Sequence, residues 1–106
     1  RLLGVPFSIS SYVDFEFADW QRSANIRQKV LLAAATSDGG HRLILSHHDF
    51  QRKPLDLERR VAEMLRVREA RAVKVAYRGQ TAADSFAALD LVQAHGSRII
   101  AIARGS

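Results

Sequence analysis

Between Tyr12 and Phe17 the chain reads YVDFEF, with Tyr12, Asp14 and Glu16 alternating against Val13, Phe15 and Phe17. A period of two belongs to a strand whose faces meet different surroundings, and two carboxylates on one face must look into a wet cavity or solvent. Leu43-Ile44-Leu45, Ala72-Val73-Lys74-Val75-Ala76-Tyr77 and Ile99-Ile100-Ala101-Ile102-Ala103 are short apolar runs of the kind that make buried parallel strands. Helical patterns fill the gaps between them. Ser23 is placed to cap a helix running to about Ala35, with Ile26, Val30 and Leu31 on its buried side and Asp38-Gly39-Gly40 ending it. Pro54 stands near the start of a second helix, Leu55 to about Glu69, with the apolar stripe Leu57, Val61, Met64 and Leu65. Thr81-x-x-Asp84 opens a third as a capping box, Phe86, Leu89 and Val92 or Gln93 mark one of its sides, and Gly96 is the natural stop. The stretch Arg1 to Ser11 has no clear period and reads as the end of an earlier element and a loop.

The predicted order is βαβαβαβ, a single segment over residues 1–106 with no linker or low-complexity stretch. Strands alternating with helices mean a parallel α/β sheet with right-handed crossovers. Such a segment is either an open sheet or half of a (β/α)8 TIM barrel. No Gly-rich phosphate loop follows any strand, against a nucleotide-binding open sheet. Polar residues at the carboxyl ends of strands, as here, are what a barrel mouth requires. If Asp14, Glu16, Ser46, His48 and Lys74 point inward, then Val13, Phe15, Leu43, Leu45, Val73 and Val75 all point to the helices, so the parities of three strands agree.

Composition adds bounds. With 106 residues, 47% hydrophobic and 25% charged, the chain can build one core. It has no Cys and hence no disulfide, which suits a reducing, cytoplasmic setting. No apolar run is long enough to span a bilayer. The formal charge of +5 and the pI of about 10.4 raise nucleic-acid binding. The arginines are scattered, however, and the densest group, Arg59 to Arg71, is interrupted by Glu63 and Glu69, as on a solvated helix face. A small anionic substrate fits the same charge.

Candidate chemistry lies at two strand exits. The run Leu43–Leu45 ends in Ser46-His47-His48-Asp49, and alternation sends the two histidines to opposite faces. Lys74 stands between two valines in a chain with thirteen arginines and three lysines. Arginine does not lose its proton, so a position that needs a free amine must be lysine; burial in the strand would favour the neutral form. The alternative for Lys74 is a snorkelling or ion-paired lysine at a strand edge, against which stand the arginine-dominated usage and the spacing from His48; His48 taken alone reads first as a hydrogen-bonded strand-end histidine. His47, Trp20 and Phe50 read as packing or surface residues. A zinc site from His41, His47, His48 and Asp49 matches no common ligand spacing.

Ser46-His47-His48-Asp49-Phe50, Pro54, Val73-Lys74-Val75-Ala76 and the upstream Asp14-Phe15-Glu16 together resemble type I 3-dehydroquinate dehydratase of the shikimate pathway, over about Tyr12 to Arg104. The resemblance implies a class I aldolase-type (β/α)8 barrel, of which these residues cover about the fourth to seventh strands. It implies Lys74 as the Schiff-base lysine, His48 as general acid and base, and Asp14, Glu16 and Arg104 as substrate-binding or supporting residues, with no metal or organic cofactor. The substrate would be the anion 3-dehydroquinate. A noncatalytic dehydratase-like remnant, or another Schiff-base lyase or aldolase on the same barrel, would carry much of the same pattern. Two stretches depart from the family: Tyr77-Arg78-Gly79-Gln80 replaces the usual methionine-proline, with Gln80 matching, and Arg104 stands where an apolar residue is usual. The family's carboxylate-binding arginine is expected shortly beyond Ser106. A whole barrel needs about 250 residues, so closure of this sheet is expected to come from a second copy, as a homodimer, or from the rest of a barrel.

Overall fold

The computed structural model describes residues 12–105, so the reading of Arg1 to Ser11 lies outside the described residues. The elements are β1 (Val13–Glu16), α1 (Phe17–Arg22), α2 (Ala24–Ala34), β2 (Leu43–Asp49), α3 (Leu57–Leu65), β3 (Ala72–Arg78), α4 (Ala82–His95) and β4 (Ile99–Arg104), with a 3-10 turn at Gly96–Arg98 before the last strand. All neighbouring strands are parallel and lie side by side in chain order. The sheet is open: among the described residues β1 and β4 each pair on one side only. This is an α/β fold consistent with part of a TIM barrel, as the alternation of strands and helices predicts. No helix of the described residues is long and apolar enough to cross a membrane.

The sheet's two faces differ. Val13, Phe15, Leu43, Leu45, Val73, Val75, Tyr77 and Ile99, all odd-numbered, join the principal core with side chains from all four helices. The opposite face carries a smaller cluster of Ile44, Ala72 and Ile100, with Tyr12 and Ile102 packed against it. Each large side chain fully buried in the principal core contributes about 1.5–3 kcal/mol.

Local signals account for most helix boundaries. Ser23 Oγ accepts from the Ile26 N–H at 3.3 Å and starts α2. Val30 and Ala34 form the buried side of that helix; Ile26, expected there, is 37% exposed at its rim. The chain then turns through Thr36–Gly40, where Asp38 Oδ1 accepts from the Gly40 N–H and the Thr36 hydroxyl, and Gly39 takes a φ of +88° that disfavours any side chain. α3 starts two residues later than expected and ends at Leu65, short of Glu69, because the Arg66 N–H already bonds back to the Glu63 and Met64 carbonyls. Its stripe of Leu57, Val61 and Met64 is buried as the spacing requires. The capping box of α4 is complete: Asp84 N–H donates to Thr81 Oγ1 and Thr81 N–H to Asp84 Oδ2, each at 3.3 Å. Its side of Phe86, Leu89 and Val92 is the exposed one, while Ala88 and Leu91 face the sheet.

Candidate active site

The inner face of the sheet, opposite the helices, turns from apolar to polar toward the carboxyl ends of the strands. Ile44 and Ala72 are direct partners on β2 and β3, and the next inner pair is Ser46 with Lys74, followed by His48 with Ala76. On β1, Asp14 pairs with Ile44 and Glu16 with Ser46. Small side chains at Ser46, Ala72 and Ala76 leave room above the sheet for the long ones around them. Adjacent strands about 4.8 Å apart and a rise of about 3.3 Å per residue place the Cα atoms of Lys74 and His48 about 8 Å apart on one face.

Each of these two side chains meets a carboxylate from β1. Lys74 Nζ lies 3.2 Å from Asp14 Oδ2, having crossed the inner face of β2 over Ser46 to reach a strand that does not pair with its own. His48 Nδ1 lies 3.0 Å from Glu16 Oε1 and 3.4 Å from Oε2. An ionised carboxylate only accepts, so Nδ1 carries a proton, which leaves Nε2, on the ring's other edge, as the position from which the imidazole can act as a base. The side chains of Lys74 and His48 are 21% and 27% exposed. The burial suggested by Val73 and Val75 thus falls on the valines, which face the helices; the ammonium sits on the other face, ion-paired.

His47 points the other way, as alternation requires. Burial, and next the Arg60 guanidinium, push its pKa below the usual histidine range. Trp20 is a core residue. Phe50 is not a packing residue: it is 72% exposed and stacks on His48, with ring centroids 6.0 Å apart and planes 14° from parallel. Asp49 Oδ1 accepts from the Gln51 and Arg52 N–H groups at 2.9 and 3.1 Å, which holds its carboxyl below the usual range and shapes the loop that carries Phe50. His41 lies at the far end of β2, bridged to Ala35, away from His47 and His48. Among the described residues no three His, Asp or Glu side chains converge as a metal site would require.

A family model for type I 3-dehydroquinase matches residues 8–106. The chain belongs to the type I 3-dehydroquinase family. Neither the curated proteins nor the solved structures give a match. In general this family comprises dehydratases, lyases of the shikimate pathway.

Two stretches of the chain differ from the usual pattern of the family, and the structure shows where they lie. Tyr77 is on the helix side, 1% exposed, and its hydroxyl donates to the Asp84 carbonyl at 2.6 Å, tying the end of β3 to α4. Gln80 Nε2 donates to the Gln51 carbonyl at 3.2 Å, joining the loops that follow β2 and β3. Arg78 and Arg104 end their strands as register partners on the inner face. The family resemblance points to Arg104. Arg78 stands out in the sequence only as a departure, because nothing there sets the register that brings it beside Arg104.

Proposed function

We propose that this chain carries the reacting side chains of a 3-dehydroquinate dehydratase, eliminating water from 3-dehydroquinate to give 3-dehydroshikimate through a Schiff base on Lys74. One observation carries the reading: Lys74 and His48 share the inner face on adjacent strands, each held by a carboxylate of β1. Asp14 keeps the lysine over the sheet until substrate arrives. The Lys74 ammonium passes a proton to Asp14, the free amine adds to the C3 ketone, and the proton returned by Asp14 leaves with the carbinolamine hydroxyl as water, giving an iminium that draws electron density from C2. His48, with Nδ1 on Glu16, takes the C2 proton at Nε2, giving an enamine. The enamine expels the C1 hydroxyl, which collects the proton from His48 and leaves as water. A second water hydrolyses the conjugated iminium, releasing product and returning the amine. Glu16 orients the ring and stabilises the imidazolium while it holds the proton.

The test is turnover of 3-dehydroquinate, followed by the ultraviolet absorbance of the conjugated enone. Lys74→Ala is expected to abolish the reaction, and His48→Ala to slow it by roughly 10²–10⁴ while still forming the imine. Unchanged turnover in Lys74→Ala would overturn the mechanism. A wild-type chain that binds 3-dehydroquinate without turning it over would identify a binding remnant instead.

A further inference from the structure

Phe50 is exposed over most of its surface, yet its ring lies on the face of His48 with centroids 6.0 Å apart. So open a stack is weak against the freedom of a loop side chain. The surrounding backbone supplies the hold. Asp49 Oδ1 accepts from the Gln51 and Arg52 N–H groups and curls the chain into a turn just after β2. The Gln51 carbonyl of that turn accepts from Gln80 Nε2 at 3.2 Å, from the loop that follows β3. Gln80 is itself a fixed post. Its N–H donates to Asp84 Oδ2 at 2.8 Å, and the N–H of Gly79 before it donates to the Arg104 carbonyl at 2.7 Å. Asp84 in turn belongs to the capping box of α4. A path of hydrogen bonds therefore runs from the start of α4 through Gln80 to the turn that carries Phe50. A cleft lined by Phe50 with Asp49, Ala76 and Arg78 opens beside the ring and gives it room to swing away when the path is cut.

We propose that Gln80 is a positioning residue for His48, acting through the Gln51 carbonyl and the Phe50 ring. The inference rests on the proposed function for the reaction that His48 serves. Glu16 holds the imidazole at one edge, through Nδ1. A contact at one edge leaves the ring free to tilt about it, and Nε2 lies on the far side of that pivot. A second contact, on the flat face, removes the tilt. Phe50 provides it with a plane 14° from that of the imidazole, and so fixes where the Nε2 lone pair points. A base works only when the proton it removes lies in that direction, so the tilt bears on rate. Gln80 gives and takes no proton in the reaction; its amide sets the place of Phe50. An amide donates to a carbonyl without adding a charge beside the histidine.

The experiment takes two readouts on the same samples: NMR shifts of the His48 ring protons, assigned by their loss in His48→Asn, and turnover of 3-dehydroquinate. In the wild type these protons are expected to carry a ring-current shift that Phe50→Leu removes. Gln80→Glu, which keeps the shape and loses the donor, and Gln80→Ala should each lose most of that shift. Both should lower kcat about threefold to tenfold, with KM and borohydride trapping on Lys74 unchanged. Gln80→Lys, which can donate to the same carbonyl, should recover part of both losses. Adding Gln80→Ala to Phe50→Leu should lower kcat no further, because the glutamine acts through the phenylalanine. Wild-type ring shifts in both Gln80→Glu and Gln80→Ala, shifts lost with kcat unchanged, or additive losses in the double variant would each overturn the inference. Turnover in the wild type then shows that the catalytic reading survives without it. Shifts lost in the Gln80 variants of a wild type with no turnover would establish the hold on His48 and sink the catalytic reading.

Discussion

Leu43, Leu45, Val73 and Val75 are at most 1% exposed on the helix side of the sheet, while one residue along the same strands Ser46, His48 and Lys74 form a polar surface on the other. Nothing in the backbone separates the two sets; the alternation of side chains does. The helix side obeys close packing, so every atom removed leaves a hole. On the inner side charge balance matters instead, since Lys74 and His48 each meet a carboxylate of β1. Stability and chemistry are therefore written on the same strands and should separate by residue parity.

Four substitutions probe that separation. Leu45→Ala, in the middle of the principal core, should have the largest effect on folding, about 2–5 kcal/mol in urea unfolding. A loss under about 1 kcal/mol would mean that the helix side is not close-packed. Glu16→Gln belongs to the inner face and should do the reverse. Its amide can donate to Nδ1 and drive the ring proton to Nε2, so turnover should fall roughly tenfold to a hundredfold while unfolding shifts by under about 1 kcal/mol. A large stability loss with turnover retained would make the pair structural. Tyr77→Phe removes one buried hydrogen bond from the helix side and should cost about 1 kcal/mol. Turnover unchanged in this variant, measured beside the stability loss, would confirm that the helix side and the face of Lys74 and His48 act separately.

The smallest effect concerns His47. Its folded pKa lies below the unfolded value of 6.5, so the unfolded chain takes up the proton first as the medium is acidified. The stability it contributes is complete above pH 6.5 and is lost as pH falls from there through the folded pKa. His47→Asn should flatten that part of the acid limb, measured by urea unfolding over a pH series. Asp49 and Asp56, whose pKa values are lowered from 3.8 by backbone and arginine hydrogen bonds respectively, keep their stabilisation down to lower pH and should not obscure the window.

The strands are legible in the sequence because branched residues alternate or cluster in short runs, and the starts of α2 and α4 because Ser23 and Thr81 with Asp84 are local capping signals. α1 is not, since Phe17 continues the alternation of β1 and only its contact with the core, shared with Trp20, reveals a helix. The buried side of α4 escapes the sequence pattern for a different reason. This helix is apolar around much of its circumference, and the small Ala88 allows close approach to the sheet that Phe86 does not. For the site, parity alone places Asp14, Glu16, His48 and Lys74 on one face. Parity does not pair them: that Lys74 crosses β2 to Asp14, and that Arg78 lies beside Arg104, depends on register between strands.

Borohydride reduction in the presence of 3-dehydroquinate, read by intact mass and peptide mapping, tests the division most directly. The chain offers three lysines, Lys29, Lys53 and Lys74, and Lys74 is the one on the inner face of the sheet. The expected result is a single adduct on the peptide containing Lys74, absent in Lys74→Ala and retained in Leu45→Val. An adduct on Lys29 or Lys53, or none at all, would contradict the assignment of chemistry to the inner face.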